Sequence, residues 1–158
     1  MAHHIDFQTG KAAFVSLKSR PWHGLGAVIE SEMSVEQAVR LAQLDFEVAK
    51  LPNRHHIPDG NGGMIEKISS TSFFTYRTDT NFVLGDRLGK HYTVVQNEDA
   101  LGVVDALVAK GNLIIETAGS IHNGCTVFMT LRLSEAIKVS GKDDVQQYIV
   151  IAAGHDGG

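Results

Sequence analysis

Residues 70–112 read STSFFTYRTDTNFVLGDRLGKHYTVVQNEDALGVVDALVAKGN, and this stretch decides the fold class. In its first part Phe74 and Tyr76 alternate with Phe73, Thr75 and Arg77, the period-2 pattern of a half-buried strand. The run is rich in β-branched and aromatic residues, which suit a pleated surface. "DTN" marks a turn into "FVLG", and "DRLGK" leads to "HYTVVQN". Short strands joined by tight turns read as an antiparallel meander. The period then changes. Leu101, Val104, Leu107 and Val108 fall on one helical stripe, with Asn97 as N-cap, Glu98 and Asp99 in the first turn, and Lys110 and Gly111 closing the end.

Upstream, "MSVEQAVRLAQLDF" predicts a second helix, capped by Ser34 with Gln37 three residues on in capping-box position. "FEVAKL" predicts a strand. "PNRHHIPDGNGG" holds two of the three prolines and reads as a flexible loop over residues 52–63. Downstream, "LIIETAG", "CTVFMTLRL", "IKVS" and "QQYIVIAAG" predict four further strands, with "HNG" at a hairpin tip. Strands come in runs and the two main helices do not alternate with them. The order predicts an α+β fold, an antiparallel sheet packed with two helices.

At 158 residues the chain is long enough for one domain with its own core, residues 1–158. A single cysteine, Cys125, excludes an internal disulfide framework and fits a reducing compartment. No run of about 18 apolar residues occurs, so no membrane span is predicted. The first residues lack the layout of a secretory signal. A cytoplasmic protein is the expectation. The net charge of −4 argues against a wholly basic surface. Over residues 50–94, however, Lys50, Arg54, Lys67, Arg77, Arg87 and Lys90 outnumber Asp59, Glu66, Asp79 and Asp86. Nucleic-acid binding needs a local basic stripe, and this region could supply one.

The residues capable of chemistry form no known motif. Eight histidines invite a search for metal, but no C-x2-C, H-x3-H or H-E-x-x-H spacing occurs. His55 and His56 would point to opposite faces of a strand. His3 and His4 sit at the terminus. No metal and no cofactor is expected. Cys125 reads as a small buried hydrophobe at the start of a strand rather than a nucleophile beside His122. No G-x-S-x-G, P-loop or G-x-G-x-x-G appears. In "RPWHGLGAVIE", residues 20–30, Pro21 fixes the approach, Gly24 and Gly26 let the backbone turn, and Trp22 is expected to anchor that turn in the core. His23 is its one functional group. The closing "GHDGG" offers His155 and Asp156, with a turn as the simpler reading.

Taken in order, "PWHGLG", "YRTDTNFVLGDRLGKHYTVVQN", "ETAGSIHNG" and "AGHDGG" resemble the phage/plasmid-like family built on a domain of unknown function, number 932. The resemblance runs from about "IDFQTG" to the last residue. Members usually continue beyond the "HDG" motif, so the chain looks like an N-terminal portion of the family domain. The resemblance implies a mobile-element protein in a bacterial host cell and carries no activity onto particular residues. The coarse topology is similar to that of ring-forming single-strand annealing proteins of the Rad52-like type.

That likeness implies a non-enzymatic protein that binds single-stranded DNA and self-associates. Such a protein needs cations for phosphates and exposed aromatics for bases. Lys67, Arg77, Arg87 and Lys90 are the candidates for the first, and Tyr76, Tyr92 and Trp22 for the second. A structural or host-interaction protein that binds a protein partner is the alternative. An enzyme would require His23, His155 and Asp156 to converge in one cleft.

Overall fold

The computed structural model describes residues 4–139 and 143–157. In chain order the elements are β1 (Phe14–Leu17), β2 (Ala27–Ile29), α1 (Val35–Leu41), β3 (Val48–Pro58), β4 (Met64–Arg77), β5 (Val83–Gly89) and α2 (Asn97–Val108). There follow β6 (Leu113–Ile121), a 3-10 turn (His122–Gly124), β7 (Thr126–Leu133), β8 (Ile137–Val139), β9 (Asp143–Val145) and β10 (Tyr148–Gly154). The fold is α+β with two helices, as the pattern predicts. One sheet runs β10-β7-β6-β1-β2, a second runs β3-β4-β5, and β8 and β9 form a ribbon.

The five-stranded sheet is antiparallel except at one edge, where β1 and β2 pair in parallel. The crossover between them is the stretch Lys18–Gly26, shorter than parallel strands usually need. It manages by left-handed backbone at Lys18, Gly24 and Gly26. At Gly26 a Cβ would stand 2.3 Å from the Phe14 carbonyl oxygen, so only glycine lets the loop pass this close to β1. The expectation for Trp22 fails. Its side chain is 84% exposed, and Phe14 in β1 instead packs edge-on against His23, with ring centroids 5.0 Å apart. The glycines and His23, not the tryptophan, seat the loop.

Both helices cover one face of this sheet. Ser34 caps α1, accepting from the Gln37 amide while the Gln37 side chain accepts from the Ser34 amide. In α2 the expected stripe is present: Leu101 and Val104 are fully buried, with Leu107 and Val108 partly so. They meet Val127, Met129 and Leu131, the inward alternates of β7, and Ile115 and Ala118 of β6. Leu44, Phe46, Val48 and Leu84 carry the same core under the second sheet.

Three local expectations change. The supposed loop 52–63 is strand as far as Pro58, and only residues 59–63 turn, with Asp59 accepting from the amides of Asn61 and Gly63. Pro52 and Pro58 are tolerated because β3 is an edge strand, where a missing N–H costs no ladder bond. "HYTVVQN" is not a strand. Lys50 Nζ instead gathers the carbonyls of Gly89, Lys90 and Tyr92, at 3.0, 3.0 and 2.6 Å. Lastly, Gln96 is the N-cap residue of α2, and Asn97 is the first residue inside the helix.

Candidate functional site

The "HDG" turn follows β10 and joins three elements. His155 is 1% exposed and Asn97 is 2% exposed. Asn97 Nδ2 donates to the carbonyls of Leu44 (2.9 Å) and Phe46 (3.3 Å), which fixes its amide so that Oδ1 faces His155 Nε2 at 2.6 Å. An amide oxygen only accepts, so Nε2 must carry the imidazole proton. The His155 amide donates to the Cys125 carbonyl at 2.8 Å, and Thr75 Oγ1 donates to the His155 carbonyl at 2.6 Å. The turn also lies tight on β5: a Cβ on Gly85 would stand 2.7 Å from Asp156 Cα. These bonds tie the end of the larger sheet to the smaller sheet and to the start of α2.

Nδ1 of His155 finds no hydrogen-bond partner among the described residues. Protonating it would bury an imidazolium. Burial accordingly pushes the histidine below its ordinary value of 6.5, against an opposing pull from the Asp156 charge. The unfolded chain then binds the proton more readily than the folded one, so stability is full above about pH 6.5 and falls as pH drops through that value. Urea midpoints between pH 7.5 and 5.5 should show this loss, and His155→Gln should flatten it. An equal slope in both proteins would contradict the assignment. Asp79, held low by its bond from Arg77, titrates in a separate window below 3.8.

His23 and His155 do not converge. His23 packs on β1 and His155 follows β10, three strands away in the sheet order, about 14 Å at ordinary spacing. Cys125 is half-buried, with Sγ 3.3 Å from the Leu84 carbonyl. Burial, then the charges of Asp156 and Asp6, push its thiol up, so thiolate is scarce. His55 and His56 stand on opposite faces of the β3–β4 ribbon, opposite Lys67 and Glu66. Among the described residues no group of three or more His, Cys, Asp or Glu is placed to hold a metal ion.

Arg77 cannot touch a phosphate. Its side chain is 1% exposed, bonded to the buried Asp6 carboxylate and to Asp79, with its guanidinium 3.9 Å over the Phe46 ring. Burial acts to lower its pKa, but Asp79 and Asp6 outweigh it and hold the cation charged. Tyr92 is also separated from Tyr76. It lies under Lys50 Nζ, which shares the face of Thr75, and its hydroxyl donates to the Gly154 carbonyl at 3.3 Å. Burial and then the Asp156 charge push that phenol up.

The outer face of the second sheet is different. β3 pairs Ala49 with Tyr76 and Leu51 with Phe74, and β5 sets Val83 opposite Tyr76. Phe74 and Tyr76 therefore point outward together, partly buried, with ring centroids 5.8 Å apart. Leu51 and Val83 beside them are 45% and 47% exposed. Phe74, Leu51, Arg54 and Asp86 line a shallow depression there. Lys67, Arg87 and Lys90 are exposed on the same small sheet and its connections. Phe74 and Arg54 were not among the candidates from sequence. The alternation of the strand contained the signal, since Phe74 and Tyr76 share a parity.

No helix among the described residues is long and apolar enough to cross a membrane. No curated protein and no solved structure matches the chain, and the likeness to Rad52-like annealing proteins gains no support. The family model that matches is "Domain of unknown function (DUF932)", over residues 83–158. The matched span is the C-terminal part of the chain, from β5 to the "HDG" turn, rather than the near-complete resemblance read from the motifs or an N-terminal portion. It is over these residues that the chain matches the DUF932 family model.

Proposed function

We propose that this protein is a non-catalytic, cytoplasmic accessory of a phage or plasmid that binds single-stranded DNA on the outer face of its smaller sheet. The observation that supports it is the outward pair Phe74–Tyr76, 5.8 Å apart, on a strand end whose neighbours Thr75 and Arg77 are buried. Unpaired bases stack on such rings whatever their identity, at about 1–3 kcal/mol per base. Arg54, Arg87 and Lys90 supply phosphate contacts, while Lys67 lies on the opposite face of the hairpin from Arg54. No covalent step is required.

The test is fluorescence anisotropy of a labelled oligothymidylate. Three phosphate contacts on a single strand give a salt slope of about −2.1, so affinity should fall about 20-fold between 50 and 200 mM salt. Tyr76→Ala should weaken binding by about 5- to 150-fold, one stacked base, with little change in stability. No binding at about 50 mM salt would end this reading.

A second reading is a mobile-element structural or host-interaction protein with a protein partner. The exposure of Leu51 and Val83 on the same face favours it. Binding of a partner that Leu51→Asp abolishes, with no response to DNA, would decide for it.

A further inference from the structure

Beyond Ser72, opposite Gly89 at the end of β5, the β3–β4 hairpin has no third strand among the described residues and projects as a two-stranded arm. Ile57, Met64, Ile65 and Ile68 on it are 44–62% exposed. A lone two-stranded ribbon is marginally stable in water, so these side chains need a surface to cover them. The two faces differ. One sets His56 against Glu66 and Pro58 against Met64, and Arg54 is bridged to Glu66 at 3.0 Å. The other sets Ile57 against Ile65 and His55 against Lys67, with no carboxylate.

A matching surface lies between the helices. A groove of about 430 Å³ runs between α1, α2 and the segment joining α1 to β3. Val39 is the partly exposed apolar residue of its floor, above the buried Leu44 and Phe46, and the exposed carboxylates of Asp45, Glu47, Glu98 and Asp105 rim it. The one basic residue there, Arg40, is tied to Glu36 at 2.9 Å. An aliphatic pair flanked by Lys67 and His55 complements an apolar groove flanked by four carboxylates.

The arm cannot reach its own groove. β3 leaves the groove just after Glu47 and runs as one strand to Pro58, with an irregularity in its pairing at Pro52–Arg54, so that extended geometry carries Ile57 up to about 33 Å away. We propose that the Ile57–Ile65 face of the arm docks in the α1–α2 groove of a second copy of this chain. The contact is heterologous, arm to groove, so each copy offers one of each. This goes beyond the DNA reading and needs no DNA.

The test uses the full chain without nucleic acid, by native mass spectrometry and sedimentation velocity. Wild type should assemble at about 100 μM. Ile57→Asp with Ile65→Asp, on the arm, should leave monomers, and so should Glu47→Lys with Glu98→Lys, on the groove rim. All four positions are exposed, and circular dichroism checks that both variants stay folded. Mixing the two variants should restore a one-to-one dimer, because one intact arm then meets one intact groove. A monomeric wild type, an assembly that survives either variant, or a mixture that stays monomeric would each overturn the proposal. None of these outcomes bears on DNA binding, whose platform at Phe74 and Tyr76 is left intact.

Discussion

Arg77→Met is expected to cost about 3–5 kcal/mol, the range for breaking one side of a buried ion pair. The Asp6 carboxylate is 2% exposed and would be left without its countercharge. Among the described residues only the Gln8 amide, at 2.8 Å, would still bond to it. Domains of this size hold about 5–15 kcal/mol in total, so the loss would be visible as a large fall in the urea midpoint. Removing the other partner as well should help: Asp6→Leu with Arg77→Met should be more stable than Arg77→Met alone, since no charge is then stranded. The exposed Arg54–Glu66 bridge is the control, and Arg54→Met should stay within about 1 kcal/mol of wild type. Equal losses for Arg77→Met and Arg54→Met would show that burial of the first pair carries no energetic weight.

Asn97→Ala is the second large effect. As a mere helix cap the asparagine would be worth about 1 kcal/mol. Its actual position strands three groups when it is cut back: the carbonyls of Leu44 and Phe46 and the Nε2 proton of His155. Each buried orphan costs about 1–3 kcal/mol, so the variant should lose about 3 kcal/mol or more. A measured loss near 1 kcal/mol would return Asn97 to the role of a cap and remove it from the junction.

Much of the architecture could be read in advance because periodicity reports burial directly. The stripe of α2 and the alternation of β7 are set by the same core. What failed is instructive residue by residue. The parity that places Tyr76 outward places Arg77 inward, so the two could never have shared a binding face. Applied consistently, the alternation would have paired Tyr76 with Phe74 instead. Trp22 was expected inside because of its size, yet the close approach of Gly26 to Phe14 already fixes the loop without it. β1 and β2 span four and three residues, too short for any period to show. Residues 52–58 read as loop from their two prolines, because nothing local in the sequence marks β3 as an edge strand. "HYTVVQN" alternates well, but side chains tie it to β3: Lys50 Nζ donates to the Tyr92 carbonyl, and the Gln96 side chain bonds both backbone groups of Val48, which no local pattern reveals. The "HDG" junction draws on residues 58 and 80 positions apart in the chain, a distance over which sequence spacing says nothing.

The place of β1 has a consequence for biosynthesis. Phe14 pairs with Gly119, across more than a hundred residues of chain, and β1 stands between β2 and β6 in the finished sheet. At ribosomal speeds of about 5–20 residues per second, the first strand waits on the order of 5–20 s for its antiparallel neighbour to be made. Until then β2 is its one neighbour in the sheet among the described strands, with α1 over one face. The half of the chain ahead of the family match is thus needed to close the sheet of the half that matches. A nascent chain stalled before Gly119 would hold β1 exposed, and that is where a chaperone would find this protein.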